Sequence, residues 1–409
     1  MKQSKKTPIA LMLLLAVASL IIPSVEGQQL EVRVATGTDL FPIPNIILPS
    51  QGFATVMLIL MLAMTALSVY LTFVRNRRTP LIVVIAFGFG LVMTVLTWLF
   101  SGATMGITTL LAGSLALAVP LIFGSLSGAL SERVGIINIA IEGQLLAGAF
   151  TSALVASVTD SVLIGILAAM IAGSLVAAIL AVFSIKYLVD QIITGVVINV
   201  LIIGLTSFLF STLLADNISI LNQPPRFERI AIPLLSQIPI AGPVLFNQTL
   251  IVYLMYLAVA GVFLALFKTR WGLRLRSVGE YPKASDTVGI NVFRTRYMSV
   301  MIGGALAGLG GSFFTLGQVG AFGKEMTNGA GYIALAALIF GRWNPIYAAM
   351  AALLFGFALN LQYALQIVGS PLPSEFLLML PYVLTVVAVA GLVGKVRGPA
   401  AAGKPYVKS

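Results

Sequence analysis

Long apolar runs separated by short polar stretches make up most of this chain. A helix needs about 20 mostly apolar residues to cross a hydrocarbon layer of about 30 Å, and it pairs all its backbone N–H and C=O groups internally. The runs that fit lie near residues 8–25, 51–74, 80–101, 106–130, 134–157, 161–185, 190–214, 248–268, 298–320, 328–341, 344–366 and 376–394. The pattern predicts an all-α, polytopic membrane helix bundle with about 12 crossings.

The composition excludes a water-soluble globule. Of the 409 residues, 59% are hydrophobic and only 9% are charged, whereas roughly a quarter are charged in soluble domains. The chain has no Cys and no His, which removes disulfides, thiolate nucleophiles, imidazole acid/base chemistry and zinc sites of the usual ligand types. We therefore expect a protein that is not an enzyme and that carries no cofactor.

The positive charges predict the orientation of the bundle. The net charge is +11, and basic residues near membrane spans concentrate in cytoplasmic loops. If the N-terminus is cytoplasmic and each run crosses once, 20 of the 24 basic residues fall inside. The exceptions are Arg33, Arg226, Arg229 and Lys324. This asymmetry predicts a multi-pass protein of the cell membrane with both termini in the cytoplasm.

Two of the twelve runs allow another interpretation. The first, residues 8–25, is short and could be a cleaved signal peptide ending at Val25-Glu26-Gly27, although we favour a retained helix. The run at 328–341 is also short and could be a half-helix packed inside the protein. Arg342, which follows it, favours a full crossing.

The longest polar interruption among the runs spans residues 268–296. Pro282 suits the first position of a helix and Gly289 suits the position after a helix end, so a two-turn helix fits between them. Ala284 and Val288, at positions i and i+4, would form its small apolar face. Such a short helix needs a packing partner, either its own membrane helices or another protein. The alternative is an ordinary basic loop.

Glu142 is the one carboxylate placed within a predicted crossing. In a continuous helix from Arg133 it would lie about 14 Å deep, with Asn138 on the same face. Buried ionisable groups in membranes usually face a protein interior or a watery path. Glu142 could thus line or gate a path, or be a structural group hydrogen-bonded to a neighbouring helix end. Gly135 and Gly143 could break the helix and place Glu142 at its terminus.

Two further features concern packing of the predicted helices. Asp190 is predicted to cap the helix that starts after Lys186, and Asn199, deeper in that helix, could line a path or make an interhelical hydrogen bond. The glycine-rich stretch Gly303–Gly311 predicts close helix approach, within one subunit by default and between subunits as the minority alternative.

Four ordered motifs carry a resemblance to a known family. Gly279-Glu280-x-Pro282-x-Ala284 followed by Gly289-Ile290 resembles the cytoplasmic signature of ABC importer permeases of the ribose and branched-chain amino acid type. Further motifs are similar to the simple-sugar and nucleoside branch; they lie at Ser131–Phe150, Gly331–Pro345 and Leu380–Gly391. The similarity covers about residues 110–405, and residues 1–100 depart from the shorter family members.

The resemblance implies a membrane-spanning permease subunit of an ATP-driven importer, whose expected cargo is nucleosides or related simple sugars. Its partners would be a second permease subunit, identical or related, cytoplasmic ATPase subunits, an extracytoplasmic substrate-binding lipoprotein, a small-molecule substrate and membrane lipid, but no nucleic acid. The sequence has no GxxxxGK[ST] loop, so another chain would hydrolyse ATP. The layout would be an N-terminal extension with one or two membrane helices at 1–78, a ten-helix permease domain at 79–397, and a cytoplasmic tail at 398–409.

Candidate site residues follow from the resemblance for ATPase coupling, and from placement in the predicted helices for the substrate path. Coupling to the ATPase would fall to Gly279, Glu280, Pro282, Ala284, Gly289 and Ile290. The predicted substrate path contains Asn138, Glu142 and Asn199. The proline-rich outer loop, 215–247, would dock the lipoprotein or serve as a plain connector. The rival function is an ion-coupled secondary transporter that uses Glu142.

Overall fold

The chain folds into fourteen α-helices and five short strands across the residues described by the computed structural model, which are 6–20, 27–34, 41, 43–368, 379 and 398–408. The helices are α1 Lys6–Ser19, α2 Ser50–Val69, α3 Leu81–Leu99, α4 Ile107–Glu132, α5 Ile141–Thr159, α6 Val162–Ala181, α7 Gln191–Leu209, α8 Ile218–Leu221, α9 Leu250–Lys268, α10 Arg270–Glu280, α11 Pro282–Thr287, α12 Val292–Ser312, α13 Ala330–Phe340 and α14 Pro345–Val368. The strands are β1 Gln29–Arg33, β2 Ile46–Pro49, β3 Thr104–Gly106, β4 Arg229–Ala231 and β5 Asn247–Thr249.

Eleven of the twelve predicted runs contain a helix. Within the described residues, nine helices are long and apolar enough to cross a membrane, and two apolar helices, α1 and α13, are shorter. The twelfth run, 376–394, lies almost wholly outside the described residues. The protein is a predominantly helical polytopic membrane protein, and its two small sheets were not predicted. The number of crossings and the side of each terminus stay predictions.

The chain divides into two compact units. The first comprises Met1–Leu111, Leu234–Pro243 and Leu361–Leu378. Its three-stranded sheet has the order β2-β1-β3, with β1 antiparallel to β2 and parallel to β3. Thr104 and Asn45 donate hydrogen bonds to Glu31 at 2.7 Å each, and these bonds lower the pKa of its carboxyl. The domain boundary predicted at residue 78 stays a prediction.

The second unit comprises Ala112–Pro233, Val244–Asn360 and Met379–Ser409, and α12 lies along α5 and α6 at its core. A Cβ atom on Gly308 would lie 2.0 Å from the carbonyl oxygen of Ala169, and one on Gly148 would lie 2.3 Å from that of Gly308. The backbones of these helices are therefore in direct contact. This confirms the prediction of close packing within one subunit by the stretch Gly303–Gly311.

Two predicted crossings contain a shorter helix than expected. α4 ends at Glu132 and α5 begins at Ile141, and the residues between them are not helical; we call residues 133–140 the interrupted segment. The expectation of a continuous helix from Arg133 to Glu142 is therefore wrong. Gly135, with φ +89°, takes a left-handed conformation that ends the helix. α13 has only 11 residues, about 16 Å of helix, which corresponds to the half-helix alternative.

Candidate functional site

Glu142 lies in the first turn of α5 and binds the start of α13. Its Oε1 accepts hydrogen bonds from the Thr327 hydroxyl at 2.6 Å and from the Gly329 amide at 2.9 Å. Its Oε2 accepts a bond from the Gly331 amide at 2.6 Å. The side chain is 4% exposed. Both carboxylate oxygens are thus occupied by donors of the same chain.

This arrangement follows from the electrostatics of helix ends. The first amides of a helix have no intrahelical acceptor and carry a partial positive charge, so a carboxylate is stabilised there. Glu142 occupies that position for its own helix and for α13. A Cβ atom on Gly331 would lie 2.4 Å from the Glu142 amide nitrogen, so only glycine permits this approach of the two helices.

Asn199 holds the other side of the α5 terminus. Its Oδ1 accepts a hydrogen bond from the Gly143 amide at 2.8 Å. Its Nδ2 donates to the Ile139 carbonyl at 2.9 Å and to the Tyr332 hydroxyl at 3.1 Å. The side chain therefore pairs backbone groups that the helix interruption leaves without intrahelical partners. Asp190, at the start of α7, caps its helix as predicted, by accepting from two backbone amides at 2.9 and 3.0 Å.

Asn138 belongs to a separate buried network. Its amide nitrogen donates to Gln144 Oε1 at 3.2 Å and to the Ser127 hydroxyl at 3.2 Å, and its Oδ1 accepts from Gln144 Nε2 at 3.1 Å. Asn138 and Gln144 are 0% exposed. The network ties the interrupted segment to α4 on one side and to α5 on the other.

The three residues predicted to line a substrate path, Asn138, Glu142 and Asn199, thus meet around the start of α5. All three are buried and hydrogen-bonded within this chain. Their path-lining role stays a prediction, and these contacts favour the structural alternative. In the sequence, only Gly135 and Gly143 indicated that Glu142 could lie at a helix terminus.

The predicted ATPase-coupling residues lie on α10, α11 and the turn that follows; we call residues 279–290 the coupling element. Pro282 is the first residue of α11, and Gly289 has φ +84° just after its end, which confirms the predicted two-turn helix. Gly279 packs against the interrupted segment, where a Cβ atom would lie 2.0 Å from the Arg133 carbonyl oxygen. α10 was not among the predicted elements, although the Thr269 side chain caps it by accepting a hydrogen bond from the Gly272 amide at 3.1 Å.

An open groove of about 410 Å³ runs along the coupling element. It is lined by residues of α10, of α11 and of the turns that follow these two helices, and its lining includes Arg274 and Glu280. Val288 is 74% exposed and Tyr281 is 63% exposed. Ala284 is also exposed, and Ile290 is half-buried. The coupling element therefore presents an apolar surface at a loop that is predicted to be cytoplasmic.

Two of the motifs behind the resemblance are in direct contact. The Arg133 guanidinium donates to the Trp343 carbonyl at 3.1 and 3.2 Å, and the Trp343 indole N–H donates to the Glu132 carboxylate. Burial and the nearby Arg276 lower the pKa of Arg133, whereas Glu280 of the coupling element opposes that shift. The charges of Arg133, in the interrupted segment, and of Glu280, in the coupling element, therefore attract each other.

Comparison with known proteins assigns the chain to a family. Residues 110–389 match the family described as "Branched-chain amino acid transport system / permease component". The chain is 41% identical over 317 residues to the guanosine ABC transporter permease protein NupQ of Bacillus subtilis. The aligned part covers 74% of this chain and 97% of NupQ. It is 39% identical over 313 residues to the nucleoside ABC transporter permease protein NupC of Lactococcus lactis, covering 73% and 97%.

A more distant relative is the putative glucose ABC transporter permease protein TsgC13 of Haloferax volcanii. It is 33% identical over 261 residues, which cover 63% of this chain and 78% of that protein. No solved structure matches the chain. The chain belongs to this permease family. It is a multi-pass protein of the cell membrane and a transport subunit rather than an enzyme.

As an ABC transporter permease, it works with ATPase and substrate-binding partners. The buried interruption between α4 and α5, the start of α13 and the coupling element all lie within the family match, which begins at residue 110. The three-stranded sheet of the first unit lies before it, because β3 ends at Gly106. The sheet therefore lies outside the part of the chain that matches the family.

The loop at residues 215–247, predicted to lie outside, is anchored to the segment after α12. The Asn222 side chain donates to the Phe322 carbonyl at 3.0 Å and accepts from the Phe322 amide at 2.7 Å. The Phe227 amide donates to the Leu316 carbonyl at 3.0 Å, and β4 pairs with β5 in an antiparallel ladder. These bonds restrain the loop that was predicted to dock a lipoprotein, and the docking itself stays a prediction.

Proposed function

We propose that this permease forms the membrane path of an ATP-driven importer of nucleosides. The observation that carries the proposal is its identity of 41% and 39%, over 97% of each relative, to permeases named for guanosine and for nucleosides. The relative named for glucose is less similar and is covered over a smaller share. Nucleosides are therefore the favoured substrate class over simple sugars.

The assembly proposed for transport contains a second permease subunit, two cytoplasmic ATPases and a substrate-binding lipoprotein. Relatives from single organisms include more than one permease, such as NupC and NupB of Lactococcus lactis, which favours a related rather than an identical second subunit. Both termini would lie in the cytoplasm. In this assembly the coupling element receives the movement of an ATPase, and the membrane helices convert it into a change of the open side.

The groove along the coupling element supports this mechanism. An exposed apolar surface of this kind on a cytoplasmic loop is suited to a protein partner, because burying Val288 and Tyr281 would remove apolar area from water. The hydrogen bonds of Glu142 disfavour the rival ion-coupled transporter. A coupling carboxylate has to exchange its proton with water, whereas this one is 4% exposed and bonded through both oxygens.

The substrate test uses the purified complex, with its ATPases, second permease and lipoprotein, in proteoliposomes. ATP-dependent uptake of labelled guanosine should be suppressed by excess unlabelled adenosine or uridine and unaffected by glucose or ribose. Competition by glucose alone would move the substrate class to sugars. Uptake that persists without the ATPases and collapses with the proton gradient would reject the importer mechanism.

A charge placed in the groove should uncouple the ATPase from the permease. Val288→Asp puts a carboxylate into the apolar groove. Because Val288 is 74% exposed, we expect the substitution to leave the fold of the permease unchanged. We expect ATP-dependent uptake to fall at least about tenfold, because a buried unpaired charge at an interface costs several kcal/mol. The measurement is uptake alongside recovery of ATPase subunits with the purified permease.

The matched control is Thr287→Asp. Thr287 is the adjacent exposed residue and does not line the groove, so this variant adds the same charge outside the proposed contact. It should retain most of the uptake. Equal loss in both variants, or wild-type uptake with Val288→Asp, would contradict docking in the groove.

A further inference from the structure

The C-terminal segment, residues 398–408, packs against the coupling element. The Ala401 amide donates to the Gly279 carbonyl at 2.9 Å, and the Ala400 amide donates to Glu280 Oε2 at 3.3 Å. Ala401 and Tyr406 are buried. The segment that was predicted to be a cytoplasmic tail therefore belongs to the folded second unit.

Tyr406 contacts both α11, which belongs to the coupling element, and the following helix, α12. Its phenol lies beside the Asp286 side chain on α11. Its ring lies 5.4 Å from the Phe293 ring and 5.8 Å from the Arg296 guanidinium carbon, both on α12. Burial, followed by the neighbouring Asp286 side chain, raises the pKa of this phenol, so at neutral pH the hydroxyl keeps its proton and is available as a hydrogen-bond donor toward Asp286.

The same contacts continue to the interrupted segment. Arg296 is 1% exposed, and its Nε donates to the Val134 carbonyl at 3.1 Å. The Gly403 amide donates to the Gly135 carbonyl at 3.2 Å. A continuous series of contacts thus runs from Asp286 through Tyr406 and Arg296 to Val134. From there the chain is only eight residues from Glu142.

We infer that the C-terminal segment 398–408 is a strut that transmits movement of the coupling element to the interrupted segment at 133–140, with Tyr406 and Arg296 as its positioning residues. This inference rests on the proposed function. Physical coupling between two sites requires elements that are packed or hydrogen-bonded to both. The strut meets this requirement because it binds α10, α11, α12 and the turn at Gly135.

The coupling element has a second route to the interrupted segment, through the contact of Gly279 with Arg133. Gly279 lies at the end of α10, whereas Asp286 lies on α11 next to the groove. Without the strut, displacement of α11 would reach the interrupted segment only through the turn between the two short helices. Losing the strut should therefore weaken transmission without abolishing attachment of the ATPase.

The test measures nucleoside imported per ATP hydrolysed by the complete complex in proteoliposomes. Tyr406→Phe removes only the hydroxyl and keeps the ring contacts. It should lower the ratio at least about fivefold, the low end of typical coupling between sites, with complex yield and melting temperature near wild type. Asp286→Ala should give the same loss, whereas Asp286→Asn, which keeps an oxygen acceptor, should restore most of the ratio.

The double variant Tyr406→Phe/Asp286→Ala should be no worse than either single variant, because both remove the same contact between Tyr406 and Asp286. Additive losses, or an unchanged ratio in Tyr406→Phe, would overturn the inference. So would a lower melting temperature with an unchanged ratio, since that is the result of a purely structural contact. A wild-type complex without ATP-dependent uptake would instead reject the proposed function. If Val288→Asp uncouples and the Tyr406 variants do not, the strut alone is rejected.

Discussion

Replacing Glu142 with glutamine is expected to destabilise the permease by about 2–3 kcal/mol or more, the cost of disrupting buried hydrogen bonds to a charged group. The carboxylate accepts three bonds through two oxygens. An amide offers one acceptor oxygen and sets its NH₂ against a backbone N–H or the Thr327 hydroxyl. The start of α13 would then lose at least one partner. Thermal unfolding of the purified permease in detergent checks this.

The control for that variant is Asp160→Asn. Asp160 is exposed at the other end of the same helix, so the change removes the same charge without touching the contact between α5 and α13. It should unfold near the wild-type temperature. An equally stable Glu142→Gln permease would contradict the structural role. If that stable variant also lost uptake, the result would support the path-lining prediction instead.

Gly308→Ala should have a comparably large effect through sterics alone. The added Cβ atom would lie 2.0 Å from the Ala169 carbonyl oxygen and 3.1 Å from the Gly173 Cα. Because these are backbone atoms, the clash can be relieved only by moving α12 away from α6. We expect a loss of about 1–3 kcal/mol in the free energy of unfolding, as for overpacked cores, read from the melting temperature in detergent.

Gly204→Ala is the matched control for the close helix contact. Gly204 lies within α7 and has nothing within 4 Å of the added atom. Alanine also has the higher helix propensity, so this variant should be neutral or slightly more stable. Equal melting temperatures for the two variants would show that α12 and α6 can separate at no cost, which contradicts the packing described above.

Local patterns predicted the elements of this fold well. Helix-length apolar runs identified α2 to α7, and the side chain of Asp190 caps α7 where the sequence placed it. Pro282 and Gly289 marked α11 and its end because proline and glycine act through their own backbone geometry. Gly135 likewise signalled the break before α5 through its own conformational freedom.

The partners of the site residues could not be predicted in this way. Nothing near Glu142 in the sequence indicates that its bonds come from Thr327, Gly329 and Gly331, since these contacts depend on the tertiary packing of α13. The role of Asn199 in pairing the Ile139 carbonyl is equally non-local. The docking of Tyr406 was hidden for the same reason, because a short polar tail has no periodicity.

The distance along the chain between Glu142 and its partners bears on biosynthesis. Thr327 follows 185 residues later, so at 5–20 residues per second it leaves the ribosome roughly 10–40 s after Glu142. Asn199, which binds the amide of Gly143, follows after only 56 residues. During this interval Asn199 is already available to bind the start of α5, whereas Thr327, Gly329 and Gly331 have not yet been made to donate hydrogen bonds to the Glu142 carboxylate. We expect chains that stall before residue 331 to be preferred targets of membrane quality-control proteases.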